Sequence, residues 1–221
     1  MSALVEPEER EVEITLDSAS LSGTLNVMPG AAGLVMFVHG SGSSRFSSRN
    51  RHVAQVIRSA NLGTLLFDLL SQREEGIDQY TAELRFDIDL LAKRVVGVTS
   101  WLRQNADTKA LPLGYFGAST GAAAALAAAA ELGDIAAVVS RGGRPDLVAG
   151  ILPRVTAPTL LIVGGNDQPV IEMNRRAFAR LLGVKDMKIV PGATHLFEEP
   201  GTLEEVARLA TEWFQRYLTV A

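Results

Sequence analysis

The chain of 221 residues contains no cysteine. That absence excludes disulfide scaffolds, zinc sites built on thiolates and a cysteine nucleophile, and it fits a reducing compartment. Histidine is scarce: His39, His52 and His195 are the only three, so an imidazole base must be one of them. Lysine is scarce too, since 17 of the 21 basic residues are arginine. The net charge is −4 and the pI near 5.5. This argues against a nucleic-acid partner, because neutralising phosphates takes a net basic face. The longest uniformly apolar run, Gly121 to Ala130, is too short to cross a bilayer, so no membrane partner is expected. Met1 to Arg10 carries Glu6, Glu8 and Glu9 and no apolar stretch, so no signal peptide is expected and the location reads as cytoplasmic. What is present is 47% hydrophobic and 21% charged with mean hydropathy +0.16, the balance of a globular chain. The length suits one domain over residues 1–221.

The period of the apolar pattern switches between two and 3.6 along the chain. Val12, Ile14 and Leu16 alternate with polar residues, Asp17 to Ser20 turn the chain, and Leu21 to Val27 extends again. This predicts an N-terminal antiparallel hairpin with one wet face. Continuous apolar runs follow at Leu34 to Val38, Thr64 to Phe67, Leu113 to Phe116, Ile135 to Val139, Thr159 to Val163 and Met187 to Val190. Strands covered on both faces need apolar side chains pointing both ways, so these predict a parallel sheet between helices. Helical stripes lie between them, the clearest being Leu84, Ile88, Leu91, Val95, Val98 and Leu102. Others run from His52 to Ala60, Ser119 to Leu132, Ile171 to Leu182 and Leu203 to Tyr217, the last with Thr202 and Glu205 spaced as a capping box. The expected fold class is α/β, an eight-stranded, mostly parallel sheet with helices on both faces. Eight alanines between Gly121 and Glu131 suit a helix lying close and central on the sheet.

Gly117, Ala118, Ser119, Thr120 and Gly121 follow a predicted strand and open a predicted helix. This is a G-x-S-x-G turn in the context it requires, with glycines where side chains would clash and a serine at a helix N-terminus. Ser119 is the candidate nucleophile. His195, in the loop before the last helix, is its candidate base by elimination and position. Asp167 is the first acid after the buried strand ending at Val163 and the candidate orienter of that base, with Asp68 and Asp146 as rivals. As an alternative role, Asp167 would only cap the following helix. His39, Gly40, Ser41, Gly42, Ser43 and Ser44 form a loop of small residues after the strand Leu34 to Val38. The oxyanion donors are expected to be the backbone N–H groups of Ser41 and Thr120, with Gly42 as the alternative first donor. His39 is expected to be buried and to hold this loop by a hydrogen bond.

The hairpin, the His39–Gly40 loop, the Ser119 turn, Asp167 and His195 together resemble the α/β-hydrolase superfamily over nearly the whole chain, and within it the dienelactone-hydrolase-like branch. The chain is similar as well to the hydrolase domain that some bacterial proteins carry fused to a phosphoribosyltransferase, here without the partner. Dienelactone hydrolases proper use a cysteine where this chain has Ser119. The resemblance therefore implies a serine esterase acting on a small-molecule ester, with a lactonase, a thioesterase or a non-catalytic binding module of the same fold as alternatives. Many relatives insert a helical cap after the sixth strand; Ser140 to Asp146 and the strand soon after leave no room for one, so the site is expected to be open and suited to short esters. Arg45, Arg49, Arg51, Arg73, Arg141 and Arg144 are placed in loops at the active edge. Arg141 is the best candidate to hold an anionic group, against local ion pairing as the alternative. No H-E-x-x-H, Walker loop or G-x-G-x-x-G is present, so no metal and no cofactor are expected. A monomer or homodimer is expected.

Overall fold

The computed structural model describes residues 9–218. The hairpin forms as expected, with β1 (Arg10–Leu16) antiparallel to β2 (Ala19–Asn26). Leu16 pairs with Ala19, so the turn is shorter than the sequence suggested and consists of Asp17 and Ser18 alone. Six further strands follow: β3 (Leu34–Val38), β4 (Gly63–Phe67), β5 (Leu113–Ala118), β6 (Ala137–Arg141), β7 (Thr159–Gly164) and β8 (Lys185–Val190). The sheet runs β1-β2-β4-β3-β5-β6-β7-β8, with β2 antiparallel to β4 and every later pairing parallel. The strands β3 to β7 are buried residue by residue, while β8 at the edge exposes Lys188 and Ile189. A charge on an edge strand discourages pairing with another chain.

The described residues form six α-helices, α1 (Ser48–Ser59), α2 (Gln72–Thr81), α3 (Ile88–Gln104), α4 (Thr120–Leu132), α5 (Gln168–Arg180) and α6 (Thr202–Tyr217), of which all but α2 pack apolar side chains into the two cores beside the sheet. Val53 and Ile57 of α1 share one core with Val206 and Phe214 of α6, while Val95 of α3, Ala125 of α4 and Ala177 of α5 belong to the core on the opposite face. The alanines of α4 are buried almost throughout, as a helix pressed against the sheet requires. Helix α2 is absent from the apolar pattern because Asp78 is its one buried residue. It is started by Ser71, whose hydroxyl accepts from Glu74 N–H while the Glu74 carboxylate accepts from Ser71 N–H. The long stripe from Leu84 is interrupted: Asp87 caps α3 through Leu90 N–H, and Leu84–Phe86 form a separate 3₁₀ turn. The capping box expected at α6 does not form. Gly201 is the cap, and the Thr202 hydroxyl donates to the Glu199 carbonyl instead. Residues 142–158, between β6 and β7, hold only two short 3₁₀ turns.

The chain leaves β3 toward β4 on one side and returns to β5 on the other. The carboxyl ends of β3 and β5 thus flank a switch in winding direction, the place where open α/β sheets form their sites.

Candidate active site

Ser119 stands between β5 and α4 with φ +50° and ψ −122°. A non-glycine residue held there stores about 1–3 kcal/mol of strain and persists only where its surroundings over-determine it. They do so here through three backbone bonds. Ser119 N–H donates to the Arg141 carbonyl at 3.2 Å, and the Ser119 carbonyl accepts from Ala122 and Arg144 N–H, both at 3.1 Å. The flanking glycines are required by close approach. A Cβ on Gly117 would lie 2.5 Å from Ala122 Cα, and one on Gly121 would lie 2.3 Å from the carbonyl oxygens of both Val38 and His39.

His195 Nδ1 and Asp167 Oδ2 are 2.8 Å apart. An Nδ1–H donating to that carboxylate leaves Nε2 as the basic nitrogen. Asp167 sits at the cap position of α5 yet makes no side-chain capping bond, so its carboxylate serves His195 and not the helix. The rival acids are engaged elsewhere: Asp68 binds Arg45, and Asp146 takes two bonds from Arg144 at 2.9 Å. The imidazole packs on Gly142, where an added Cβ would lie 3.5 Å from its Cε1. Because Ser119 N–H is bonded to Arg141, the serine and the histidine flank the same two-residue segment. Glu199, which the sequence did not single out, braces the histidine loop. Its carboxylate accepts from Thr194 N–H at 3.0 Å and from the Thr194 hydroxyl at 2.6 Å, and these bonds hold its carboxyl below the usual range.

The loop after β3 is held by His39 as expected. Leu69 N–H donates to His39 Nε2 at 3.1 Å, so the ring proton sits on Nδ1 and is donated to the Gly40 carbonyl at 3.0 Å. Burial pushes the His39 pKa down from its ordinary 6.5. The unfolded chain then takes up this proton more readily than the folded one. The stability from neutral His39 is full above the ordinary value and is lost as pH falls through the lowered one. The thermal midpoint should therefore drop between about pH 7 and about pH 5, and drop less in His39→Gln. Equal slopes in calorimetric scans of the two proteins would remove His39 as the cause.

The two expected oxyanion donors do meet, but not as a pair of free N–H groups. Ser41 N–H donates to the Thr120 hydroxyl at 2.9 Å. Gly42, with φ +70°, has no hydrogen-bond partner for its N–H among the described residues. Beside this loop lies a cleft of about 420 Å³, walled by His39, Ser43, Phe46, Asp68, Leu70 and Glu75. Arg141 departs from expectation. It is the last residue of β6 rather than a loop residue, and it is buried, with 7% of its surface exposed. Arg45, Arg49 and Arg144 pair with Asp68, Glu198 and Asp146. Among the described residues no group of three or more acidic or histidine side chains is placed to hold a metal, and no helix is long and apolar enough to cross a membrane.

This sheet order, with a strained serine after β5, an acid after β7 and a histidine after β8, defines an α/β-hydrolase. The chain belongs to the dienelactone hydrolase family. It is 58% identical to a dienelactone hydrolase from Anabaena variabilis of known crystal structure, with TM-score 0.95 over 96% of this chain and 99% of that one. More distant structures share the fold alone. Est1E from Butyrivibrio proteoclasticus is 16% identical, with TM-score 0.78 over 94% of this chain and 98% of its own. An esterase of Pyrococcus furiosus is 20% identical, with TM-score 0.74 over 96% and 92%. Two Mycobacterium tuberculosis proteins, named provisionally as phosphoribosyl transferases, are 55% identical over 211 residues, which is 95% of this chain. The chain spans about half of their length (47%). No family model matches it.

Proposed function

We propose that the protein is a serine esterase of small carboxylic esters, working through an acyl-enzyme. The observation that carries this reading is Ser119 held at positive φ between two glycines that nothing larger can replace, with the His195–Asp167 pair across the same segment. Ser119 Oγ attacks the ester carbonyl carbon while His195 Nε2 takes its proton, and Asp167 stabilises the imidazolium. The oxyanion accepts from Thr120 N–H and from the loop after β3. Gly42 N–H is free to serve there, and Ser41 N–H joins once the Thr120 hydroxyl turns away. The tetrahedral intermediate collapses as His195 protonates the departing alkoxide. Water then attacks the acyl-enzyme by the same steps, losing its proton to His195, and Ser119 is restored.

The short span between β6 and β7 supports an open site without a tunnel for long acyl chains. Initial rates on p-nitrophenyl acetate, butyrate, octanoate and palmitate test this, with rates falling steeply along the series as the expected result. No turnover of any ester would overturn the esterase reading in favour of a binding module of the same fold. Asp167→Asn is expected to lower kcat by about 10³-fold or more, because the amide no longer favours the tautomer with Nε2 free. A loss below tenfold would remove Asp167 from this role.

A further inference from the structure

Asn174, two turns along α5 from Asp167, is a polar residue with 0% of its surface exposed. Its amide nitrogen donates twice, to the Val170 carbonyl within the helix at 2.9 Å and to the Gly143 carbonyl outside it at 3.0 Å. Because the nitrogen must face those two carbonyls, Oδ1 is left buried without a hydrogen-bond partner. An orphaned acceptor in the interior costs stability, and an apolar side chain of the same size would avoid burying it. What the amide gains in exchange is its hold on Gly143.

Gly143 lies in the segment that joins base and nucleophile. Gly142 N–H donates to the Ile162 carbonyl at 2.8 Å, and Gly142 backs the His195 ring. Gly143 is pressed against α4, where an added Cβ would lie 2.7 Å from Ala122 Cβ. Arg144 N–H then donates to the Ser119 carbonyl at 3.1 Å, one of the bonds that hold the strained serine. Two consecutive glycines leave a backbone free to rotate, so the direction of that N–H has to be set from outside. The Gly143 carbonyl and the Arg144 N–H are the two ends of one planar peptide unit, and fixing the first aims the second. A line of bonds therefore runs from Asn174 through this peptide to the backbone of Ser119. The same helix begins at Asp167, whose carboxylate orients His195 at 2.8 Å. From this line of bonds we infer that Asn174 is a positioning residue, which makes α5 a common strut setting Ser119 in place relative to His195. It acts through the backbone and touches no reacting atom. The inference rests on the esterase reading for its effect on turnover but not for its effect on the backbone, so the two are measured separately.

Two variants remove the bond to Gly143. Asn174→Leu keeps the volume and loses both donors. Asn174→Ser keeps a bond to Val170, since a serine hydroxyl reaches the carbonyl four residues back, and loses only the one to Gly143; it serves if the leucine variant does not fold. Ala177→Gly is the control, because it loosens α5 without removing a bond to the segment. The backbone test is amide hydrogen exchange at Arg144, read by NMR. Both Asn174 variants should speed it by about tenfold or more, and the control should not. The turnover test is kcat and KM on p-nitrophenyl acetate, compared at equal folded fraction. Both Asn174 variants should lower kcat by about tenfold or more with KM within about threefold, and the control should keep kcat within about twofold of wild type. Unchanged exchange at Arg144 in both Asn174 variants overturns the strut. Faster exchange with kcat unchanged, or a kcat loss that Ala177→Gly matches, overturns the positioning role. A wild type that turns over no ester removes the esterase reading instead, and the exchange rate at Arg144 then decides the strut alone.

Discussion

Ser119→Ala should lower kcat on a short p-nitrophenyl ester by about 10⁴-fold or more, leaving the background that binding and the oxyanion donors supply. The size of the effect follows from the chemistry: without Oγ there is no acyl-enzyme, and His195 is left to activate water in a geometry built for a serine. Alanine keeps the Cβ and hence the strain at φ +50°. Ser119→Gly removes both, since glycine takes this backbone conformation without a steric cost. It should therefore be as inactive as the alanine variant and about 1–2 kcal/mol more stable than wild type in urea denaturation. A glycine variant no more stable than wild type would mean that the turn at Ser119 stores no strain. An active alanine variant would remove Ser119 as nucleophile.

The second large effect is on stability. In Gly121→Ala the new methyl would stand 2.3 Å from two backbone oxygens, those of Val38 and His39. Neither can swing aside as a side chain would: Val38 ends β3 in register with Gly117 of β5, and His39 follows it with its ring tied to Leu69 N–H and the Gly40 carbonyl. Relief requires α4 to move off the sheet, opening the close contacts of its alanines. A loss of about 3 kcal/mol or more is expected, and for a domain of this size it should lower the thermal midpoint by about 10 °C. The same shift would carry Ser119 away from the loop after β3, so activity should fall further than the lost stability explains. By contrast, Gly150→Ala, whose added methyl meets nothing within 4 Å, should leave the midpoint within about 2 °C of wild type. Equal midpoints for the two variants would contradict the packing argument.

What the sequence made legible was what sterics and burial impose on residue type. The turn around Ser119 could be read because two backbone contacts admit no Cβ, and only glycine satisfies that. That Asp167 and His195 meet could be anticipated because Asp167 is the first acid after the buried β7 and His195 follows the neighbouring β8. The sheet could be read because strands buried on both faces must be apolar throughout. The failures share a different cause. Helix α2 has no apolar stripe and is held by polar bonds, chiefly the Ser71–Glu74 box and the Asp78 carboxylate, which accepts from Leu84 N–H at 2.7 Å. Its only signal was the Ser71-x-x-Glu74 spacing. The apolar run stops at Val139 and so points to a loop at Arg141, whereas the strand continues through a buried serine and a buried arginine. The bond from Ser41 N–H to the Thr120 hydroxyl depends on a rotamer and on the approach of two distant loops, and neither leaves a trace in local pattern. For Arg141 and the Ser41–Thr120 bond tertiary contact decided the outcome, and for α2 local polar bonds with no apolar stripe did.

The most direct test of an activated serine at 119 is covalent labelling with a fluorophosphonate, followed by intact-mass and peptide analysis. Such a probe reacts with a hydroxyl whose proton is being withdrawn and whose developing oxyanion is stabilised, and it needs no knowledge of the substrate. The account predicts a single adduct per chain, on the peptide containing Ser119, abolished in Ser119→Ala and strongly slowed in Asp167→Asn. An unlabelled wild-type protein, or an adduct that persists in Ser119→Ala, would contradict it.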